Sequence, residues 1–185
     1  LNSMSSGENV KYFNKIRTTD VTTYNLGKKD HKYSIINKDD RAYIDIKIRT
    51  RRYQPIYMQL QTRGLKNIEV ISDGEVAKKY ETEGTVEVIN LGKYNREKDI
   101  TVRLNFKNAE GYWLMNRIYS LNLRQFNNLY NNLSENEYEI SKYNDTNIIG
   151  DVTSTEDKSM LYTSIPYDDG WSVTIDGKKA DKVEL

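Results

Sequence analysis

The chain has 185 residues, enough for one or two domains with a core of their own. Its 28 Lys and Arg against 27 Asp and Glu leave a formal charge of +1 with both signs mixed along the sequence, so no basic tract points to nucleic acid or to anionic lipid. There is no cysteine and a single histidine, His31, which excludes disulfides, thiolate nucleophiles and Cys- or His-rich metal sites. No apolar run reaches the roughly 18 residues of a membrane span, and the expectation is a piece that does not itself insert into a membrane. The start at Leu1 and the alternating end "KKADKVEL" read as an excised part of a longer protein.

The first three dozen residues are polar and weakly patterned, with a short extended signal at Lys32 to Ile36. From Ala42 the pattern sharpens. "AYIDIKIRT" puts Ile44, Ile46 and Ile48 on one face, and "PIYMQLQT" puts Ile56, Met58 and Leu60 on one face, the period of two of a half-buried strand. "NIEVISDGEVAKKY" reads as two strands around the tight-turn dipeptide Asp73-Gly74. "GTVEVINLG" offers Val86 and Val88 as an inward face, "DITVRLNF" offers Ile100, Val102, Leu104 and Phe106, and "GYWLMNRIYSL" reads as a longer, more buried strand. Short alternating strands at this spacing predict a mainly β protein, an antiparallel sandwich of jelly-roll type.

At "NLRQFNNLYNNLSEN" the period changes to a helical one, with Leu123, Phe126, Leu129, Tyr130 and Leu133 on one face and Asn122 as N-cap. The helix spans 123 to 133. After it "EYEISKY", "NIIGDVTS", "SMLYTSIP" and "WSVTID" read as strands, the last two joined through Pro166 to Gly170, and Asp176-Gly177 starts a further hairpin. This divides the chain into a β-sandwich unit, 1–121, and a smaller helix-plus-hairpin unit, 122–185, packed on the first.

Catalytic groups are hard to assemble. Asp168 and Asp169 are adjacent in a turn and diverge, whereas paired glycosidase carboxylates face each other across about 5 to 9.5 Å. Ser164 lacks a nucleophile elbow and His31 is the one candidate base. Asp39-Asp40 and Glu156-Asp157 lack the calcium-loop spacing and read as solvated turns; "RTRRY" (Arg49 to Tyr53), the one local basic cluster, reads as a solvated strand end, with contact to an anionic polymer as the alternative. The 15 tyrosines, with Trp113 and Trp171, are what a β-sandwich module uses to stack on sugar rings, or else core and strand-surface residues. In "SIPYDDGWSVTIDGKK" the hairpin reading dominates: Pro166 sets the entry, and Trp171, Val173 and Ile175 form an inward face with Trp171 as anchor. Tyr167, Asp168, Asp169 and Trp171 are the candidate binding residues at its rim. No catalytic residue, metal or cofactor is assigned.

The stretch "NIIGDVTSTEDKSMLYTSIPYDDGWSVTIDGKKADKVEL", residues 147–185, resembles the C-terminal extracytoplasmic region of the bacterial membrane protein YfhO family. The matching residues are Leu161, Ser164, Ile165, Pro166, Tyr167, Gly170, Trp171, Val173, Asp176, Gly177 and Lys178. The resemblance implies a polytopic membrane parent on the outer face of a Gram-positive cell. That parent is similar to glycosyltransferases that move a sugar from a lipid-phosphate carrier to lipoteichoic acid or a related envelope polymer. The family's catalytic carboxylates are implied to lie in the membrane portion, so none is carried over. The partners so implied are a cell-envelope glycopolymer or the parent's own membrane portion, and no nucleic acid. An independent carbohydrate-binding or adhesive surface module is the alternative.

Overall fold

A computed structural model describes residues 10–29, 32–61, 63–82, 86–107, 112–113, 115–135, 137–154 and 160–183; His31, Glu156 and Asp157 lie outside them. The chain forms two compact units, Lys11–Phe126 and Asn127–Leu185.

In the first unit the strands are β1 (Phe13–Lys15), β2 (Thr18–Tyr24), β3 (Leu26–Lys29), β4 (Lys32–Ile35), β5 (Tyr43–Arg49) and β6 (Pro55–Gln61). They continue as β7 (Leu65–Ser72), β8 (Glu75–Glu81), β9 (Val86–Lys93), β10 (Asp99–Phe106), β11 (Tyr112–Trp113) and β12 (Met115–Leu121). One sheet has the order β1-β12-β6-β9 and the other β2-β5-β10-β7-β8. Setting aside β2, β3, β4 and β11, eight strands remain. The first, last, third and sixth of them make one sheet and the second, seventh, fourth and fifth the other, which is the jelly-roll order. The strands named within each sheet pair antiparallel. β2 adds an edge beside β5, and β3, β4 and β11 form a separate three-stranded sheet.

The alternation read from the sequence becomes one dry core. Ile44, Ile46, Ile48, Ile68, Val70, Ile100, Val102 and Leu104 come from the five-stranded sheet and meet Ile56, Met58, Leu60, Ile89, Leu91 and Ile118 from the other. Full burial of each such side chain is worth roughly 1.5 to 3 kcal/mol. Asp73 and Gly74, with φ of 55° and 85°, close the β7–β8 hairpin in the left-handed conformation that its dipeptide predicts. Outward residues of the five-stranded sheet alternate in charge: Asp45 receives a bidentate pair of 2.7 Å bonds from Arg103, whose guanidinium lies 4.0 Å from the Tyr43 ring. Tyr24 stacks on Tyr43 at 5.1 Å.

Outer strands are blunted. β2, β8 and β9 each pair through a register shift and β1 has three residues, which discourages further strand addition.

Three expectations need correction. The weakly patterned first three dozen residues hold four strands; β2, "TTDVTTY", is exposed along its whole length and rests on pairing to β5 rather than on burial, so no hydrophobic period marks it. In β9 the inward residues are Ile89 and Leu91, whereas Val88 is 68% exposed, because Ile89 pairs with buried Met58 and Val88 with Gln59. The described residues of "GYWLMNRIYSL" fall into two strands in different sheets, β11 and β12, and Arg117 in β12 is exposed, so β12 is not buried on both faces.

Candidate functional site

Helix α1, Leu123–Ser134, opens where expected: the Asn122 carbonyl accepts from Phe126 N–H at 3.0 Å, and its side-chain oxygen accepts from Gln125 N–H at 3.4 Å. Of the expected apolar face Leu129 is buried, Leu123 and Phe126 are half-buried, and Tyr130 and Leu133 are exposed. Strands β13 (Glu139–Tyr143) and β14 (Ile148–Asp151) follow as a hairpin, its turn held by Asn144, whose Oδ1 accepts from the N–H groups of Thr146 and Asn147.

Residues 160–166 carry no strand, which corrects the reading of "SMLYTSIP". Alternation is absent there, and Pro166 lacks the N–H that a ladder needs. The segment bends at Ser164 and Ile165 and leads to a turn built by Asp168. The Asp168 carboxylate accepts from Gly170 N–H at 2.7 Å, and its carbonyl accepts from Trp171 N–H at 3.2 Å. A Cβ on Gly170 would sit 2.9 Å from that carboxylate, so glycine permits the close approach. Lys182 Nζ donates to the same carbonyl at 2.6 Å and lies 5.0 Å from the Tyr167 ring.

The chain then enters β15 (Val173–Ile175), turns at Asp176 and Gly177 with φ of 50° and 76°, and returns as β16 (Lys178–Ala180). Gly177 takes the second left-handed position of this two-residue turn without a Cβ penalty. The register is Val173↔Ala180, Thr174↔Lys179, Ile175↔Lys178, and Asp181 and Lys182, which follow β16, line the same cavity as Trp171 and Ser172, which precede β15. A cavity of about 360 Å³ results, lined by Tyr167, Asp169, Trp171, Ser172, Val173, Lys179, Ala180, Asp181 and Lys182.

Of the candidate binding residues, Tyr167, Asp169 and Trp171 thus line one cavity, while the Asp168 carboxylate is engaged in the turn. Val173 lines the cavity too; Ser164, Ile165 and Pro166 lie outside the lining and are exposed, and Asp176 and Gly177 make the hairpin tip. The inward face expected from Trp171, Val173 and Ile175 does not form. Trp171 is half-buried, Val173 is 40% and Ile175 62% exposed, because this sheet has two strands, too few to bury a face by themselves. Lys179, Asp181 and Lys182 were not among the expected site residues. A two-residue turn at 176–177 fixes their pairing partners, and that was the signal available for them.

Elsewhere the candidate clusters are spent on structure. Asp40 accepts from the Tyr24 hydroxyl at 2.9 Å, which holds the Tyr24 pKa above the ordinary phenol value. In "RTRRY", Arg49 pairs with exposed Asp99 at 3.3 Å and Arg52 lies over the Tyr53 ring. The Trp113 side chain lies outside the described residues. Among the described residues no group of three or more His, Asp or Glu is placed to hold a metal ion, and no helix is long and apolar enough to cross a membrane.

The family described as bacterial membrane protein YfhO matches residues 1–184. No curated protein matches the chain.

Proposed function

Since the chain belongs to the bacterial membrane protein YfhO family, we propose that it is a non-catalytic extracytoplasmic part of a polytopic, glycosyltransferase-like membrane protein. Its role is to hold a cell-envelope glycopolymer, lipoteichoic acid or a similar acceptor, while the membrane portion transfers sugar from a lipid-phosphate carrier. The observation that carries this reading is the meeting of Tyr167, Trp171 and free polar groups in one open cavity. A half-buried indole offers an apolar face to sugar C–H groups, and flanking carboxylates and ammonium groups hydrogen-bond hydroxyls.

Binding of purified lipoteichoic acid to the chain, measured by calorimetry, tests the reading. Trp171→Ala is expected to abolish binding. Tyr167→Ala is expected to weaken it while costing about 1 kcal/mol or less in stability, since Tyr167 is exposed at the turn. Absence of binding by the wild type at millimolar concentration overturns the acceptor-holding role.

The jelly-roll order of the first unit, an architecture that lectin domains also use, favours a second reading, an independent carbohydrate-binding or adhesive module. The full reading frame separates the two: about a dozen membrane spans in the same polypeptide support the first.

A further inference from the structure

We propose that the end of the first unit formed by the β5–β6 and β9–β10 loops docks on an anionic bilayer surface, with phospholipid headgroups as its partner. The site is separate from the C-terminal cavity and does not depend on that cavity's role. No continuous basic tract marks it, because the fold assembles it from two segments 48 residues apart at the Thr50–Lys98 bond. Thr50 is buried; its N–H donates to the Lys98 carbonyl at 2.8 Å, and its hydroxyl oxygen accepts from Lys98 N–H at 2.9 Å. Tyr53 N–H donates to the Tyr94 carbonyl at 2.7 Å, and Pro55 lies opposite Lys93, so the two loops form one rim.

Positive charge collects there. Residues 49–54 and 93–99, with the adjoining β7–β8 turn at 73–75, hold six cations and four carboxylates, a surplus of two in a chain whose total is +1. Two of those carboxylates are matched on the spot, Asp99 by Arg49 at 3.3 Å and Asp73 by Lys98 at 2.8 Å. Arg51, Arg52, Lys93 and Arg96 are exposed and form no ion pair among the described residues, and only Glu75 and Glu97 stand against them. Tyr53 is an independent feature. Its φ of 57° is in the left-handed region that a tyrosine disfavours, yet its ring is 51% exposed, with the Arg52 guanidinium 4.9 Å from the centroid. A ring with an apolar body and a polar tip, beside a guanidinium, suits the headgroup layer, where tyrosine gathers. The chain belongs to a family of membrane proteins, so a bilayer is within reach of the same polypeptide, and tethering makes a weak contact effective. A bilayer is favoured over a soluble polyanion because a phosphodiester chain offers the Tyr53 ring nothing apolar. The two loops carry no aliphatic side chain, so the contact is superficial and not an insertion.

The test is cosedimentation of the chain with phosphatidylglycerol vesicles and with phosphatidylcholine vesicles at low ionic strength. Binding to the first and not the second is expected, weakening as salt rises. Arg51→Gln and Arg96→Gln should each weaken it about fivefold, the worth of one basic residue near an anionic surface, and should melt like the wild type. Lys66→Gln, exposed at the other end of β7, removes the same charge and should leave binding unchanged. Tyr53→Gly, which relieves the left-handed backbone, should melt no lower than the wild type and yet bind more weakly. A lower melting point for Tyr53→Gly with unchanged vesicle binding would make the ring a structural element and overturn the proposal. Equal weakening by Lys66→Gln would reduce the effect to diffuse charge, and absence of wild-type binding would remove it; either overturns the proposal. So does a poly(glycerol phosphate) oligomer that displaces the chain from vesicles at equal phosphate concentration, which would assign the rim to a soluble polyanion. None of these outcomes touches the reading of the cavity, which lipoteichoic acid and Trp171→Ala test separately.

Discussion

The two units spend the same kind of residue in opposite ways. In Lys11–Phe126 the alternating isoleucines of β5 are fully buried, because a second sheet supplies the facing layer. In Asn127–Leu185 the same alternation yields Ile140 and Ile149 of the β13–β14 hairpin and Val173 and Ile175 of the β15–β16 hairpin, all exposed. Period two specifies a strand with two different faces. Burial requires another layer, which the two-stranded sheets do not provide for themselves.

The largest expected effect lies on that contrast. Leu104→Ala or Ile46→Ala should cost about 2 to 5 kcal/mol in denaturant unfolding through lost burial and a cavity, whereas Ile175→Ala should stay within about 0.5 kcal/mol. Equal costs would mean that the Ile175 face is covered in solution. Next comes the ion pair on the outer sheet face. Arg103→Ala leaves the Asp45 carboxylate, whose side chain is 14% exposed, without its bidentate donor, and should cost about 1 to 3 kcal/mol. Lys79→Ala removes an exposed pair with Glu81 and should produce no measurable change. Trp171→Ala should cost about 1.5 to 2.5 kcal/mol, half the figure for a fully buried tryptophan, and a cost near 5 kcal/mol would restore its reading as a core anchor.

The smallest effect is a pH dependence at the β7–β8 turn. The Lys98 ammonium donates to Asp73 at 2.8 Å and holds its carboxyl below the ordinary value of 3.8. A depressed folded-state pKa stabilises the fold above the unfolded-state value and loses that contribution as pH falls through the folded-state one. Asp73→Asn, which tolerates the same left-handed backbone, should therefore melt slightly below the wild type at pH 7, with the gap closing below about pH 3.8. A gap that persists at pH 2 would assign it to the turn rather than the charge.

The jelly-roll core was legible wherever one face of a strand is buried: Ile44 to Ile48, Ile56 to Leu60 and Ile100 to Phe106 all lie as their spacing implies. The helix and both Asp-Gly turns were legible because their signals are local, a cap and a positive-φ dipeptide. β2 was not, since an edge strand held by ladder bonds alone imposes no hydrophobic period on "TTDVTTY". Val88 misled because the partner decides which parity faces inward: Val88 lies opposite Gln59, and Ile89 opposite buried Met58. At the candidate site, Tyr167 and Trp171 stood out by type, while Asp181 and Lys182 are brought in by the return of the hairpin, a long-range consequence of Asp176-Gly177.

Amide hydrogen exchange with and without lipoteichoic acid tests most directly whether the jelly roll serves as scaffold and the C-terminal hairpin as the recognition surface. Without ligand, the slowest amides should be those of β5, β6, β7 and β10, with residues 160–172 among the fastest. With ligand, added protection confined to residues 167–182 is expected. Added protection on the jelly-roll strands with none at 167–182 would contradict it.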